Sequence, residues 1–313
     1  MKSMVHAIVA ALIFAAVPAT LLAQWAPYPT PGVPKLADGK PNMEGPTPRT
    51  ADGKPDFSGI WQFEGNRRPR TQGAPGVIAG SRAGPASAGA PATGATATTT
   101  PPPASGPPPA GGVGLGPRPP GVSEFFDIGS TVPGGLPFTP WAAALRKERK
   151  DDNNKDNPDA HCLPLGLTQL HMHPQPRKII QTPGLIVILY EAQGGVRQIF
   201  MDGRPLPKDP EPWWYGYSIG HWDGDTLVVE TTGFRDDVWL DVEGSPLTST
   251  GKMTERFRRV NFGHLEMEIT VEDPKAYTHP WTVKMKQRLL LDTDLIEFIC
   301  NENEKSDAHL VGK

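Results

Sequence analysis

The sequence has few cysteines and little excess charge, and these shortages exclude several classes of protein. Cys162 and Cys300 are the two cysteines among 313 residues, so a metal site built from several thiolates is excluded. The formal net charge is -3, which provides no basic field for nucleic acid or anionic lipid. A Walker loop and a dinucleotide fingerprint are also missing, which disfavours nucleotide-driven chemistry. Residues 216–220 match the Gly-x-Ser-x-Gly pattern, but they lie within a predicted strand and not at a strand-to-helix turn, which disfavours serine hydrolysis. We therefore expect no cofactor and no nucleic-acid partner.

Long helices are missing from residues 179–304, and strand signals fill this region instead. Short runs rich in β-branched and aromatic residues alternate with turn residues such as Asp202-Gly203 and Asp223-Gly224-Asp225. The runs predict strands at 185–190, 196–201, 215–222, 226–232, 253–260, 265–271, 281–291 and 295–300. A mainly β antiparallel meander of this size closes into a barrel or folds into a two-sheet sandwich. We predict a lipocalin-like barrel body over 179–304, since such barrels remove their edges and commonly hold one small ligand.

The N-terminal segment contains a long apolar run, which the rest of the chain lacks. Met1-Lys2 gives a short basic start, residues 5–22 form an apolar run, and Ala19 or Ala23 offers a small residue for cleavage. Residues 1–23 are therefore predicted to be a secretory signal peptide, with a retained membrane anchor as the alternative. We expect a periplasmic or secreted protein with no membrane span after cleavage.

In an oxidising compartment the two cysteines are expected to form a structural disulfide. Cys162 precedes the strand region and Cys300 ends the last predicted strand. A disulfide between them would join the entrance of the domain to its exit, and unpaired buried thiols are the alternative. Closing so long a loop stabilises the fold by about 4 to 5 kcal/mol in the chain-entropy model.

Proline, glycine and alanine are concentrated before the barrel body. Residues 66–122 have too few large apolar side chains to offset the entropy of ordering, and they are predicted to be a disordered insert. Residues 57–65 are predicted to be the first barrel strand, which the insert separates from the others. Thr139 is the predicted N-cap of one short helix that packs outside the barrel or plugs one end. The remaining segments are an extended one at 24–56, a helix-and-loop one at 123–178 and a C-terminal tail at 305–313.

Several motifs resemble those of known barrel proteins. Gly59-Ile60-Trp61 is similar to the Gly-x-Trp that opens lipocalins and other calycin barrels, in which the tryptophan closes one end. Further motifs occur at 52–61, 180–184, 202–205, 220–234, 254–259 and 273–277. Together they resemble a family of secreted proteins from acidobacteria and proteobacteria, over the whole mature chain except the insert. The resemblance implies a barrel in an exported protein, and it implies no particular activity.

Alternating side chains predict an apolar barrel interior. In 265–271 the odd-numbered residues are apolar and the even-numbered ones polar. Such an interior suits an apolar or aromatic ligand, although side chains alone can fill a barrel of this size. The aromatic run 213–217 suits a ligand mouth, and cross-strand packing explains it equally well. The predicted ligand-binding residues are Trp61, Trp213, Trp214, Tyr215, Tyr217, Trp222, Phe257, Arg259, His279 and Trp281.

Three ionisable side chains are candidates for acid–base chemistry. Period two places Glu255 on the inward face with Phe257 and Arg259, where burial raises the pKa of a carboxyl unless an arginine pairs with it. His221 adjoins an Asp-Gly-Asp turn, and Tyr277 lies in a loop at a strand end. Glu255, His221 and Tyr277 are therefore the predicted catalytic residues if the barrel is an isomerase, cyclase or hydrolase.

Histidines give a weaker indication of a metal site. His171 and His173 lie on one side of a segment expected to be extended, but their spacing is not specific and we predict no metal. Small-molecule binding is the predicted function, with a barrel enzyme and a structural envelope protein as alternatives. A buried, unpaired Glu255 favours the enzyme, whereas a pairing with Arg259 or a position at the barrel rim favours the binder. The sequence does not determine the oligomeric state.

Overall fold

The computed structural model describes residues 28–65, 126–300 and 302. The predicted signal peptide at 1–23, insert at 66–122 and tail at 305–313 lie outside the described residues. Among the described residues, no helix is both long and apolar enough to cross a membrane. The strands are β1 Gly59–Phe63, β2 Arg177–Gln181, β3 Leu185–Tyr190, β4 Val196–Phe200, β5 Tyr217–Asp223, β6 Thr226–Thr232, β7 Val238–Trp239, β8 Pro246–Leu247, β9 Lys252–Arg259, β10 His264–Glu272 and β11 Trp281–Leu290.

Nine of these strands form a closed barrel, as the sequence predicted. Their order around the barrel is β1-β11-β10-β9-β6-β5-β4-β3-β2, and β7 and β8 form a separate two-stranded sheet. The first strand closes the barrel, because β1 pairs antiparallel with β2 on one side and with β11 on the other. The predicted membership of residues 57–65 in the barrel is therefore confirmed by Gly59–Phe63. No strand was predicted at Arg177–Gln181, which forms β2.

The structure differs from the predicted meander in two ways. One neighbouring pair of strands is parallel, and the last predicted strand does not form. β4 and β5 are parallel and share two register pairs, Ile199 with Ser218 and Phe200 with Ile219. Parallel neighbours require a connection that returns to the starting end, and residues 201–216 make that return. Residues 295–300 form no strand. Both sides of β11 are already paired with β10 and β1, so no free edge remains for them.

Two α-helices occur among the described residues, where one was predicted. The predicted helix is α1, Pro140–Asp151, and the Thr139 hydroxyl caps it by accepting a hydrogen bond from the Ala142 amide at 3.3 Å. It does not plug the barrel, since Ala142 is its one buried residue. The second helix is α2, Leu167–Met172, and all of its residues are buried. The expectation of an extended segment at His171 was therefore wrong.

The barrel interior is filled by side chains from alternating positions. On β9, Met253, Glu255, Phe257 and Arg259 are buried, and β10 and β11 show the same period of two. The cavity inside the barrel wall, between Phe57 and Phe257, measures about 10 Å³, which is too small for an organic ligand. This cavity does not provide the interior ligand chamber that the sequence suggested, and side chains occupy the inward positions of β9, β10 and β11.

A buried tryptophan and a disulfide add further contacts to the fold. The Trp61 side chain is fully buried, its indole N–H donates to the Phe57 carbonyl at 2.8 Å, and the Arg259 guanidinium lies 5.0 Å from its ring. Cys162 and Cys300 form the predicted disulfide.

Candidate functional site

A cavity of about 290 Å³ lies where β4 and β5 separate, and we call it the seam cavity. It forms because the parallel pairing of these strands begins only at Ile199 and Ser218, so the chain before each of them diverges. Gly216 makes the turn into β5 with φ of +61°, and a Cβ there would lie 2.7 Å from the Thr232 carbonyl oxygen. Rings dominate the walls, which include Phe200, Trp213, Trp214, Tyr215, Tyr217, Pro164 and Pro212.

The aromatic walls are held in fixed positions by contacts with one another and with the backbone. The rings of Phe200 and Tyr217 stack at 5.2 Å with an interplanar angle of 25°, and the Trp213 ring lies 6.4 Å from Tyr217. The Trp213 amide donates to the Gly233 carbonyl at 2.9 Å, which anchors the turn to the chain after β6. Trp213 is nevertheless 53% exposed, so a large apolar face is open at the cavity. Flat rings of this kind bury much area on a planar ligand.

Arg197 and Ser218 line the seam cavity and also belong to a group of hydrogen-bonded side chains inside the barrel. The Arg197 Nε donates to Ser218 Oγ at 3.2 Å, and Nη2 donates to Thr231 Oγ1 at 2.9 Å. Nη1 and Nη2 also bind the two carboxylate oxygens of Glu255, with Nη1 at 3.1 Å from Oε1. The His171 Nε2 lies 2.9 Å from the same Oε1. We refer to these five side chains as the buried network.

The protonation states of the buried network follow from its geometry. Burial alone would raise the pKa of Glu255, but the Arg197 charge and the His171 hydrogen bond lower it to about 2. Burial lowers the pKa of His171 to about 4, although Glu255 opposes this shift. Glu255 is therefore ionised near neutral pH and His171 is neutral, so the His171 Nε2–H donates to the carboxylate. The Nδ1 atom then carries a lone pair.

Three polar side chains beside the buried network have atoms with no protein partner among the described residues: Nδ1 of His171, Nε and Nη2 of Arg177, and Oε1 of Gln287. Arg177 and Gln287 both donate to the His171 backbone carbonyl, at 2.6 and 2.8 Å. Burial lowers the pKa of Arg177 to about 10, so it remains charged at neutral pH. The described interior thus holds two arginines and one carboxylate at this position. Burying the extra positive charge costs folding free energy unless further polar groups or water bind it.

The predicted catalytic residues do not come together. Glu255 faces the interior, whereas His221 is exposed on the outer face of β5. Tyr277 is buried beside the β7–β8 sheet, where its hydroxyl donates to the Pro246 carbonyl at 2.8 Å. Glu255 also pairs with Arg197 rather than with Arg259. Arg259 instead donates to the carbonyls of Phe262 and Asp56 and lies over the Trp61 ring.

Four of the predicted ligand-binding residues line the seam cavity, namely Trp213, Trp214, Tyr215 and Tyr217. The others lie elsewhere. Phe257 and Trp61 are in the core, and Trp222 stacks on Phe57 at 5.6 Å. Trp281 is buried against Tyr277 with ring centroids 5.3 Å apart, and His279 is exposed. His171 and His173 do not form a metal centre with a third ligand, since the described residues contain no group of three or more suitable side chains.

Sequence reasoning missed Arg197, although a signal for it was present. Ile199 on β4 is fully buried, and period two carries Arg197 to the same face. Arg177 stands in the same relation to Ile179 on β2. An arginine two residues from an inward isoleucine therefore indicates an interior cation, which in turn requires a carboxylate such as Glu255.

The site combines an aromatic cavity with a floor of charged side chains that are hydrogen-bonded to one another. It can bind a planar molecule, whereas its carboxylate is already ionised and held by Arg197 and His171. Comparisons of the chain with protein-family models, with curated proteins and with solved structures found no match. The function therefore has to be inferred from this geometry.

Proposed function

We propose that the protein binds a small aromatic or apolar molecule in the seam cavity. The observation that carries this proposal is a cavity of about 290 Å³ whose walls are mostly rings. Ordinary ligand sites occupy roughly 300 to 1,000 Å³, so the cavity suits a ligand of one or two rings. The site includes the aromatic run 213–217 that the sequence suggested as a ligand mouth, but it lies between two strands and not in the centre of the barrel.

The disulfide supports binding in a periplasmic or extracellular compartment. Cys162 and Cys300 are paired, and such bonds persist in oxidising environments. The resemblance of the motifs to a family of secreted bacterial proteins supports the same location. The ligand would then be met outside the cytoplasm, after export of the chain.

The buried network favours binding over acid–base catalysis. A general acid or base works best with a pKa near the operating pH, but the pKa of Glu255 is lowered to about 2 and that of His171 to about 4. Both Glu255 oxygens are already hydrogen-bonded within the network. Arg197 and Ser218 therefore form a rigid floor beneath the cavity, with their hydrogen bonds directed into the buried network.

Trp213 provides the test, because its exposed ring can be removed with little effect on the core. Binding of 2-naphthol, indole and cyclohexanol to the full chain is measured by isothermal calorimetry for the parent protein and for Trp213→Ala. The planar probes are expected to bind more tightly than cyclohexanol, and Trp213→Ala is expected to weaken them at least about tenfold through lost stacking area.

Trp141→Ala is the matched control, since Trp141 is 43% exposed on α1 and does not line the cavity. It is expected to leave binding unchanged. Equal losses in the two variants would show that the probes bind elsewhere. The absence of binding by every planar probe to the parent protein would overturn the proposal.

A further inference from the structure

Two arginines lie over aromatic rings that line the seam cavity. The Arg235 guanidinium is 4.8 Å from the Trp214 ring centroid, and that of Arg204 is 4.0 Å from the Phe200 ring centroid. Each is also paired with an aspartate two residues away. Arg235 Nε and Nη2 donate to Asp237 at 2.9 and 3.0 Å, and Arg204 binds Asp202 in the same forked manner. Stacking and pairing together fix the planes of both guanidinium groups.

Arg235 differs from Arg204 and Arg197 because one of its terminal nitrogens, Nη1, makes no hydrogen bond within the described part of the chain. Arg204 Nη1 donates to the Tyr217 hydroxyl at 3.1 Å, and the Arg197 donors are taken by the buried network. Arg235 Nη1 has no hydrogen-bond partner in the described part of the chain. Arg235 lines the cavity, and the lining contains no carboxylate. Nη1 is therefore the nitrogen of the Arg235 guanidinium that remains free to donate to a ligand.

We infer that the ligand of the seam cavity is a planar aromatic carboxylate. Its ring lies against Trp213 and Tyr217, and its carboxylate accepts hydrogen bonds from Arg235 Nη1. Charge-assisted hydrogen bonds to a fixed guanidinium are about twice as strong as neutral ones, so the anion should be preferred over an uncharged molecule of the same shape. This inference rests on the proposed binding function and adds the charge of the ligand to it.

Three probes separate the contributions of ring and charge. The full chain is titrated with 2-naphthoate, 2-naphthamide and cyclohexanecarboxylate at neutral pH, using calorimetry. In the parent protein 2-naphthoate is expected to bind about tenfold more tightly than 2-naphthamide, because the amide loses one charge-assisted contact. Cyclohexanecarboxylate should bind weakly, since it lacks a flat ring. The preference for 2-naphthoate should shrink as salt is added, because Arg235 is partly exposed.

Variants of Arg235 test whether this residue causes the preference for the anionic probe. Arg235→Gln is expected to abolish the preference for 2-naphthoate over 2-naphthamide, because it removes the charged donor. Arg235→Lys should retain part of the preference, since it keeps the charge and loses the planar fork. Arg258→Gln is the matched control, because Arg258 is exposed on β9 and does not line the cavity.

The outcomes distinguish this inference from the proposed function. If 2-naphthamide binds as tightly as 2-naphthoate in the parent protein, the inference fails while aromatic binding stands. An equal loss of preference in Arg235→Gln and Arg258→Gln would also overturn it, since the effect would then come from overall charge. If none of the aromatic probes binds, both the inference and the proposed function fail. The comparison of probes on the parent protein needs no variant to fold.

Discussion

Arg197 on β4 binds Glu255 on β9 inside the barrel, although β5 and β6 separate these strands in the sheet. The two side chains are 1% and 0% exposed. Removing two charges from water costs several kcal/mol per ion, and their attraction offsets this only when the remaining donors are also bonded. Ser218 and Thr231 accept two of those remaining hydrogen bonds. The pair therefore links distant strands through a network that tolerates little change.

Glu255→Gln is expected to lower the free energy of unfolding by about 3 to 5 kcal/mol, because it leaves Arg197 charged, buried and unpaired. Arg197→Met should have a similar effect. The double variant should lose less than the sum of the two, since no unpaired charge remains. Urea unfolding of the four proteins measures this coupling.

An exposed ion pair supplies the control for that cycle. Arg256 binds Asp223 at 2.7 Å on the outside of the barrel, where both side chains are well exposed. Asp223→Asn should therefore change the free energy of unfolding by less than about 1 kcal/mol. An effect of Glu255→Gln as small as that of Asp223→Asn would show that Arg197 has another partner or is solvated.

The stability of the protein should fall on mild acidification because of His171. Its folded-state pKa is lowered from the ordinary value of 6.5 to about 4. Between these values the unfolded chain takes up a proton that the folded chain does not, so the free energy of unfolding rises with pH there. The stabilisation is present above about 6.5 and is lost as the pH falls to about 4, with a maximal slope of about 1.4 kcal/mol per pH unit.

His171→Gln tests this dependence, because the glutamine amide can still donate to Glu255 but does not titrate. Urea unfolding across this pH range should show a smaller slope for the variant than for the parent protein. Some slope should remain, since burial also lowers the pKa of His173. Identical slopes would mean that His171 is already protonated when folded. Glu255 adds a further loss below about 4.5, as the pH falls toward its folded pKa of about 2.

Much of the barrel could be predicted because the alternation of side chains and the turn residues are visible within short stretches of sequence. The alternation in 265–271 and 281–291 shows which side chains face inward, and the turn residues show where each strand ends. The same periodicity correctly placed Glu255, Phe257 and Arg259 on the inner face of β9. Thr139 and Pro140 likewise marked the start of α1 through local capping.

What could not be predicted depends on pairings between distant residues. Period two puts Glu255 inside the barrel, but it does not say that Arg197 will meet it from a strand three places away in the sheet. The parallel pairing of β4 and β5, which opens the seam cavity, leaves no local pattern in either strand. Residues 295–300 resemble a strand, yet β1 already occupies the edge that they would need.

Gly216 and Gly224 form a matched pair for testing the turn that shapes the seam cavity. Their φ angles are +61° and +59°, so alanine is strained by a similar amount at either position. A Cβ at Gly224 meets nothing within 4 Å, whereas one at Gly216 lies 2.7 Å from the Thr232 carbonyl oxygen. Gly216→Ala should therefore destabilise by roughly 1 to 3 kcal/mol more than Gly224→Ala.

Gly216→Ala should also weaken binding of planar probes, because relief of the clash moves Tyr215 or Tyr217. Thermal unfolding and calorimetric titration of both variants test the two effects together. Equal melting temperatures and equal affinities would show that the turn adjusts without disturbing the cavity walls.

The disulfide should affect both stability and binding, because Cys162 is two residues from Pro164 in the cavity wall. Cys162→Ser with Cys300→Ser removes a link with a sequence separation of 138. The expected loss is about 2 to 5 kcal/mol of unfolding free energy, measured with urea. The segment before Cys300 keeps other anchors, including the Lys178–Asp294 ion pair at 2.9 Å. We therefore expect the double-serine variant to fold.

Binding by the double-serine variant shows whether the disulfide also positions the cavity wall. The loop that carries Pro164 is held by the disulfide on one side and by the start of α2 on the other. Loss of one anchor lets the loop sample more conformations, so a planar probe must pay part of that entropy on binding. Weaker binding together with unchanged barrel content by circular dichroism is the expected result. Unchanged affinity would mean that α2 alone fixes Pro164, and that the disulfide acts on the unfolded chain.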